Sequence, residues 1–499
     1  MLQFPSGRSL ALTARRRWLA LGVVCLAQLM NTLDGTIVNV ALPTIQADLH
    51  VSQAALTWVV NAYLIAYGSF LLLAGRLGDL LGRRPVFLAG LVVFTLASAV
   101  CGLARDHTVL VAARFVQGVG SAISSSVIVA IIVTEFTEPA ARARAMSTYI
   151  FFAVGGGSIG LLLGGVLTQL VDWHWIFFIN LPIGLLAALL GRALLRAEPG
   201  LGLGHGVDVL GSVLVTGALM VGIDAIVEAT SYGWGSLHTL GLGGLALGLL
   251  VVFGLHQRRI RNPILPPRIV RLRGLLSSSL IRGIAASGMF SAFFLGALYL
   301  DRVLGYSPLA TGLAFLPLSL TIGALSLGLT TRLVARLGAK RCTSLGLLAI
   351  TAALVLLGGV DEHTAYFPRL LVAFGLIGLG AGLSFQPLLT IALAEVPPAD
   401  AGLASGIVNV SMQVAAAFGL AVLGSLSSDR SGALLAAGFT PSGALLGGYQ
   451  FAFWIAGACV SLGVLVAQRI LRPVEAPAAS QPVRLRGSQA DEAPTLDAA

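Results

Sequence analysis

The chain has 499 residues, of which 57% are hydrophobic and only 10% charged, and its mean hydropathy is +0.91. That composition excludes a soluble multidomain protein and an enzyme built on soluble domains, and points to a bundle of membrane-spanning helices. The 31 Lys and Arg against 21 Asp and Glu leave a net charge of +10, which by its placement in loops reads as membrane orientation and not as nucleic-acid binding.

Apolar stretches long enough to cross ~30 Å of hydrocarbon recur throughout. They fall at 18–40, 57–74, 86–104, 109–133, 145–168, 174–195, 207–227, 239–256, 277–300, 310–331, 343–360, 367–391, 402–427 and 448–470. This predicts an all-α polytopic membrane protein with fourteen transmembrane helices. Residues 1–17 form a cytoplasmic N-terminus. Arg15, Arg16 and Arg17 before the first run imitate a signal peptide, but that run carries Asp34 and Asn39 and lacks an A-x-A cleavage site. It is therefore read as the first membrane helix.

Asp34 lies in the middle of that helix, where a carboxylate costs about 2.5–3.5 kcal/mol to insert, so a functional role is the default. Gln28, Asn31, Gly35 and Asn39 share one helical face with Asp34 at its margin, and that face is expected to line an aqueous cavity. A carboxylate that burial makes easier to protonate suits reversible proton binding; the plainer reading is an Asp that only holds helices together. Between the second and third runs stands G-R-L-G-D-L-L-G-R-R. Gly75, Gly78 and Gly82 are expected to build a tight reversal, and Asp79 with Arg83 and Arg84 a gate at a helix N-terminus; simple topology control by charge is the alternative.

In the fourth helix Arg114 is an intramembrane cation that needs a partner or water, and Gln117, Ser121 and Ser125 continue a polar stripe from it. Gly156, Gly160 and Gly164, with Gly165, repeat every four residues in the fifth helix, a spacing for close helix packing. Asp224 and Glu228 end the seventh helix; Asp224 is a candidate second acidic site or a solvated interface residue. In the thirteenth helix Asn409 and Gln413 make another polar face. Four cysteines (Cys25, Cys101, Cys342, Cys459) lie in or beside apolar runs without metal-ligand spacing, and read as buried, inert thiols.

Loops of one set hold most of the Lys and Arg, and the opposite set holds only Arg105, Arg302, Arg369 and Arg430, which places both termini in the cytoplasm. Leu77 to Arg84 has a degenerate counterpart in Leu333 to Arg341, with Ala335 where Asp79 stands. The second copy follows the tenth helix instead of the eighth. The chain therefore divides into a six-helix half at 18–196, two inserted helices at 207–256, a basic cytoplasmic linker at 257–276, a second six-helix half at 277–472 and a disordered cytoplasmic tail at 473–499.

These motifs together resemble the fourteen-helix drug:proton antiporter group of the major facilitator superfamily. Leu33-Asp34-Gly35-Thr36-Ile37-Val38-Asn39 is similar to the group's first-helix pattern, Arg114-Phe115-Val116-Gln117-Gly118 to its fourth-helix motif, and Trp173 to Pro182 to its approach to the sixth helix. The resemblance implies proton coupling through Asp34 and Arg114, and export of hydrophobic, often cationic, drugs or toxic small molecules across a bacterial cytoplasmic membrane. It implies a monomer with no cofactor beyond the coupling proton, no metal and no enzymatic activity. A dedicated exporter of one metabolite (an antibiotic, lipid or siderophore) and a non-transporting receptor are the alternatives. Two departures stand out. Leu161 replaces the usual proline of the fifth-helix antiporter motif, so bending there relies on glycine, and His174 replaces an arginine.

Overall fold

The computed structural model describes residues 7–197, 200, 202, 208–261, 263–265, 267–325, 329–396 and 401–471, and no strand occurs among them. The expected tail at 473–499 lies outside the described residues. The helices are α1 (Gly7–Leu49), α2 (Gln53–Leu81), α3 (Arg83–Gly102), α4 (His107–Glu135), α5 (Pro139–Leu170), α6 (Trp175–Phe178), α7 (Asn180–Leu194), α8 (Val209–Tyr232) and α9 (Leu237–Arg259). After them come α10 (Pro267–Val270), α11 (Arg273–Arg302), α12 (Pro308–Ala314), α13 (Leu316–Ala324), α14 (Thr330–Leu337), α15 (Ala339–Gly358), α16 (Leu371–Leu393), α17 (Ala401–Ala436) and α18 (Pro441–Ile470). Among the described residues 11 helices are long and apolar enough to cross a membrane, or 12 if the bent α2 counts as one span. Shorter apolar helices at Ile159–Leu170 and Pro308–Ala324 occupy the expected fifth and tenth positions.

Side-chain caps and positive-φ glycines occur at both ends of the bundle. At one end Ser52, Asp106, Ser236, Ser307 and Thr440 each accept a hydrogen bond from a backbone N–H three residues on, capping α2, α4, α9, α12 and α18. At the other end single glycines turn the chain. Gly82 (φ 94°, ψ 143°) separates α2 from α3, and Gly338 (φ 83°, ψ 154°) separates α14 from α15. A side chain is strained in that region. This corrects the expectation of a loop starting at Gly75. Gly75, Gly78 and Asp79 lie inside α2, and only Gly82 makes the turn. Gly78 serves packing instead, since a Cβ on it would collide with the Val127 side chain of α4, whereas one on Gly75 would make only an ordinary contact, 4.0 Å from Ser126.

Close crossings recur in both helix groups. A Cβ on Gly90 would come 2.9 Å from the Gly120 carbonyl, fixing α3 on α4; one on Gly346 would come 2.7 Å from the Gly380 carbonyl, fixing α15 on α16. Gly156, Gly160 and Gly164 set α5 against α1 at Leu29, Leu33 and Ile37, at successive turns. The groups α1–α7 and α11–α18 meet where α5 touches α12 and α13, where α2 touches α17 and where α1 touches α11. A Cβ on Gly312 would lie 2.5 Å from the Leu161 carbonyl, and one on Gly165 2.7 Å from the Pro308 carbonyl. The Leu309 N–H donates to Gln169 Oε1 at 3.1 Å. All three contacts lie toward the end that Ser52 and Asp106 cap.

Helices α8 and α9 pack on each other, and α8 also lies against α2 and α17. Asp208 anchors the pair at the end where Gly82 and Gly338 turn the chain. Its buried carboxylate accepts from the Gly211 N–H at 2.7 Å, from His256 Nε2 at 2.7 Å and from Gln257 Nε2 at 2.5 Å. Gln257 in turn accepts from the Leu265 N–H at 3.0 Å. The linker is therefore more than a spacer: α10 places Ile269 among Leu275, Ala392, Ala404, Ile407 and Val408. Burial pushes the Asp208 carboxyl up, but the bonds from Gln257, His256 and Gly211 hold it below the usual carboxylate range.

Two stability measurements test these assignments. Gly338→Ala, where a Cβ meets nothing within 4 Å, should cost about 1–3 kcal/mol in thermal unfolding from backbone strain alone. Gly323→Ala, equally open but helical, should be neutral or slightly stabilising. Asp208 has a depressed folded-state pKa, so its contribution is present above about pH 4 and is lost as pH falls through its lower folded value. The stability gap between wild type and Asp208→Asn should accordingly close in acid.

Candidate functional site

Four helical segments converge on Asp34, and the packing above explains why. The glycine stripe of α5 holds α1 in register, and the Gly90–Gly120 crossing brings α3 against α4, so Ser98 and Gln117 face each other. The helix breaks at Ile179, between α6 and α7, and the first residue after the break is Asn180.

Asp34 is 0% exposed and Arg114 is 1% exposed. Arg114 Nη1 donates to Asp34 Oδ2 at 2.5 Å and to Gln117 Oε1 at 2.6 Å, and its Nε donates to the Val59 carbonyl at 3.0 Å. The second carboxylate oxygen accepts from Gln117 Nε2 at 2.8 Å and from Asn180 Nδ2 at 2.9 Å. Gln117 also donates to Ser98 Oγ at 2.7 Å. The guanidinium carbon stands 4.4 Å from the centre of the Tyr63 ring and 5.8 Å from that of Phe177, a favourable placement for a cation on an aromatic face. Tyr63 Oη donates to Ser121 Oγ at 2.9 Å. Beyond it, Asn31 Nδ2 donates to Ser124 and Ser125 at 3.2 and 2.9 Å. A buried ion pair bonded on this many sides can hold or release a proton only by reorganising its neighbours.

The structure brings Asp34, Arg114, Gln117 and Asn31 into this one network. Asn31, Asn39 and Gln117 are buried rather than open to a cavity, which departs from the expected aqueous face: Asn39 folds back onto the Gly35 and Thr36 carbonyls. Gln28 is partly exposed and accepts from Tyr149 Oη at 3.3 Å. Asn409 is partly exposed on α17. Gln413 meets α2, where a Cβ on Gly68 would sit 3.3 Å from its own Cβ. Asp224 lies apart, partly exposed on α8. Asp79 is exposed and forms no ion pair among the described residues, whereas Arg83 donates to the Ala130 carbonyl at 3.3 Å and Arg84 to the Arg192 carbonyl at 2.5 Å.

Outside the membrane-spanning segments, His174 pairs with Asp172 through Nδ1 and reaches the Ala104 carbonyl at 3.2 Å. Partial burial pushes the Asp172 carboxyl up, but the bonds from His174 bring it below its usual range. Cys25, Cys101 and Cys342 are buried as expected, whereas Cys459 is exposed. Residues absent from the sequence expectation are Asn180, Ser98, Tyr63 and the intramembrane Arg282 of α11. Asn180 stands in the Trp173–Pro182 motif and was findable there; Ser98 and Tyr63 carry no signal in an otherwise apolar helix.

The Major Facilitator Superfamily profile matches residues 24–420 and 284–496. The puromycin resistance protein pur8 of Streptomyces alboniger is 40% identical over 458 residues, covering 91% of this chain and 90% of that protein. The cephamycin export protein CmcT of Amycolatopsis lactamdurans is 35% identical over 411 residues, covering 81% and 84%. Among solved structures, a bacterial homologue of the human lysosomal transporter Spinster, inward-facing and unoccupied, aligns with a TM-score of 0.64 at 17% identity, covering 93% of this chain and 99% of that one.

Truncating one member of the ion pair strands the other in a dry site, so Arg114→Met should cost about 3–5 kcal/mol of stability. Adding Asp34→Leu should recover much of that loss. A thermal double-mutant cycle on the purified protein reads the coupling, and simple additivity would show that the pair does not interact energetically.

Proposed function

The chain belongs to the Major Facilitator Superfamily, and we propose that it is a proton-coupled exporter of drug-like or antibiotic small molecules across a bacterial cytoplasmic membrane. The observation that carries this reading is the buried Asp34–Arg114 pair, whose carboxylate is also bound by Gln117 and Asn180. Relatives named for puromycin resistance and cephamycin export support the substrate class, and the likeness to them over most of the chain supports two six-helix halves with α8 and α9 inserted between them. The arginine distribution supports cytoplasmic termini, so Gly82 and Gly338 mark the cytoplasmic end. The chain works as a monomer in this scheme, since one copy carries the whole network.

Protonation of Asp34 removes the charge that Arg114 Nη1 and the two amides hold. Arg114 is then left with Gln117, the Val59 carbonyl and two rings, and the α1–α4–α7 contact loosens. That change is the differential interaction needed to shift an inward–outward equilibrium. Deprotonation on the cytoplasmic side restores the pair. The contacts at Gly165 and Gly312 close the outer end, as in an inward-facing state. Asp79, exposed here, is placed to bind across the cytoplasmic end when the halves close there. Each charge moved through 100 mV supplies about 2.3 kcal/mol, enough for ~50-fold accumulation.

A second reading, export of one dedicated compound, is favoured by relatives named for single compounds: puromycin, cephamycin and, in a third relative, tetracenomycin C.

Inverted membrane vesicles energised with a pH gradient test the coupling. Wild type should take up dyes and antibiotics in a gradient-dependent way, Asp34→Asn should abolish that uptake, and Asn180→Ala should lower it about tenfold or more through loss of one charge-assisted bond. Uptake by Asp34→Asn equal to wild type removes Asp34 from the coupling path. Movement of one antibiotic alone across a broad panel selects the dedicated exporter.

A further inference from the structure

Arg282 is a second arginine inside the hydrophobic span, on α11, and it lacks the arrangement that neutralises Arg114. Its Nε and Nη1 are buried without a hydrogen-bond partner. Its one aromatic neighbour of note is Phe385 of α16, whose ring centre lies 5.2 Å from the guanidinium carbon. A cation at this depth is retained only where it meets a counter-charge, a polar partner or water.

Among the described residues no carboxylate fills that role. Among the helices packed against α11, the acids are Asp34 and Asp48 on α1 and Asp429 on α17. Asp34 is bound to Arg114, Asp48 accepts from Trp173 Nε1 at 3.0 Å, and Asp429 accepts from Trp234 Nε1 at 2.9 Å. Glu395, just beyond α16, sits at the Gly274 N–H at 3.4 Å, eight residues and about 12 Å along the axis from Arg282.

Direction settles where the arginine faces. α11 turns Gly283 and Ser287 toward α17, Gly288 toward α15 and α18, and Gly274 and Gly296 toward α16. At about 100° per residue, Arg282 falls on the arc between the α16 and α17 sides, the arc that fronts α1 and the other helix group. The residue is partly covered there but Nε and Nη1 are closed off in this structure, so a bound molecule reaches the fork only when the two helix groups rock apart, as the exporter reading requires.

We infer that Arg282 is the recognition residue of the second helix group, and that the transported compound is an amphiphile bearing a carboxylate or phosphate that it binds. A planar guanidinium with unpaired donors matches such oxygens two at a time. The same charge disfavours the cationic drugs expected from resemblance alone. The inference names the substrate class of the exporter proposed above and rests on that reading.

Ligand-dependent thermal shifts of the full-length protein in a neutral detergent test it, with decyl phosphate, decyltrimethylammonium and phosphatidylglycerol as probes. Decyl phosphate should stabilise wild type, and decyltrimethylammonium should neither do so nor compete. Arg282→Gln should weaken decyl phosphate binding about tenfold, with Arg282→Lys and Phe385→Leu intermediate. Those two variants keep the charge and carry the test should Arg282→Gln fail to fold. Equal binding of decyl phosphate by folded Arg282→Gln, or equal competition by the cation, overturns the inference, and so does stabilisation by phosphatidylglycerol alone, which makes Arg282 a bilayer-lipid contact. Vesicle uptake separates the two readings. Arg282-dependent binding without gradient-driven movement removes the exporter and leaves the anion site; gradient-driven export of cations that ignores Arg282 does the reverse.

Discussion

The Asp34–Arg114 pair sits where neither member can be solvated, so every segment around it is obliged to supply a polar atom. α2 gives the Val59 carbonyl and the Tyr63 ring, α3 gives Ser98, α4 gives Gln117 and the start of α7 gives Asn180. An ion pair in a low-dielectric site is held in place by such bonds more than by its own attraction, because desolvation consumes most of the Coulomb gain. The consequence for the proposed mechanism is economy. One proton added to Asp34 alters contacts to several helices at once, with no separate transmission element between the chemistry and the movement.

Glycine supplies the other constraint. The pair is reachable from four segments only because those segments approach closely, and they do so at positions where a Cβ would meet backbone atoms. The two groups repeat the device: Gly90 with Gly120, and Gly346 with Gly380, make equivalent crossings, and Gly82 and Gly338 make equivalent turns. What is not repeated is the charge. Asp79 has Ala335 as its counterpart, and no acid in α11 or α16 answers Arg282 as Asp34 answers Arg114. One group is thus equipped for the proposed proton handling, the other for the proposed substrate recognition.

Much of this was legible in the sequence. Asp34 and Arg114 declared themselves as charges in apolar runs, the glycine period of α5 announced a packing face, and the repeated signature marked the internal symmetry. The rest was hidden for physical reasons. Gly78 reads as a turn residue because a glycine needed for close approach and one needed for positive φ are the same letter. Arg282 is hidden because an arginine inside a span does not enter the loop charge balance that sets orientation. Asp208 carries no signal at the start of the seventh apolar run, and only folding brings His256 and Gln257 to it across a helical hairpin. The polar face of α1 was expected to be wet because its residues align on one side, but alignment does not tell whether the facing surface is water or the serines of α4.

The contact between Gly165 and Gly312 bears on leakage. Where a passage is shut by side chains, a rotamer flip on the picosecond-to-nanosecond scale can admit a water wire, and protons follow it. Here the peptide planes of α5 and α12 lie directly against each other, with no side chain between them to swing aside. Such a seal yields only when whole helices tilt, a microsecond-to-millisecond event. In the proposed scheme the barrier is therefore tight against dissipation of the gradient for the same reason that it is slow to open.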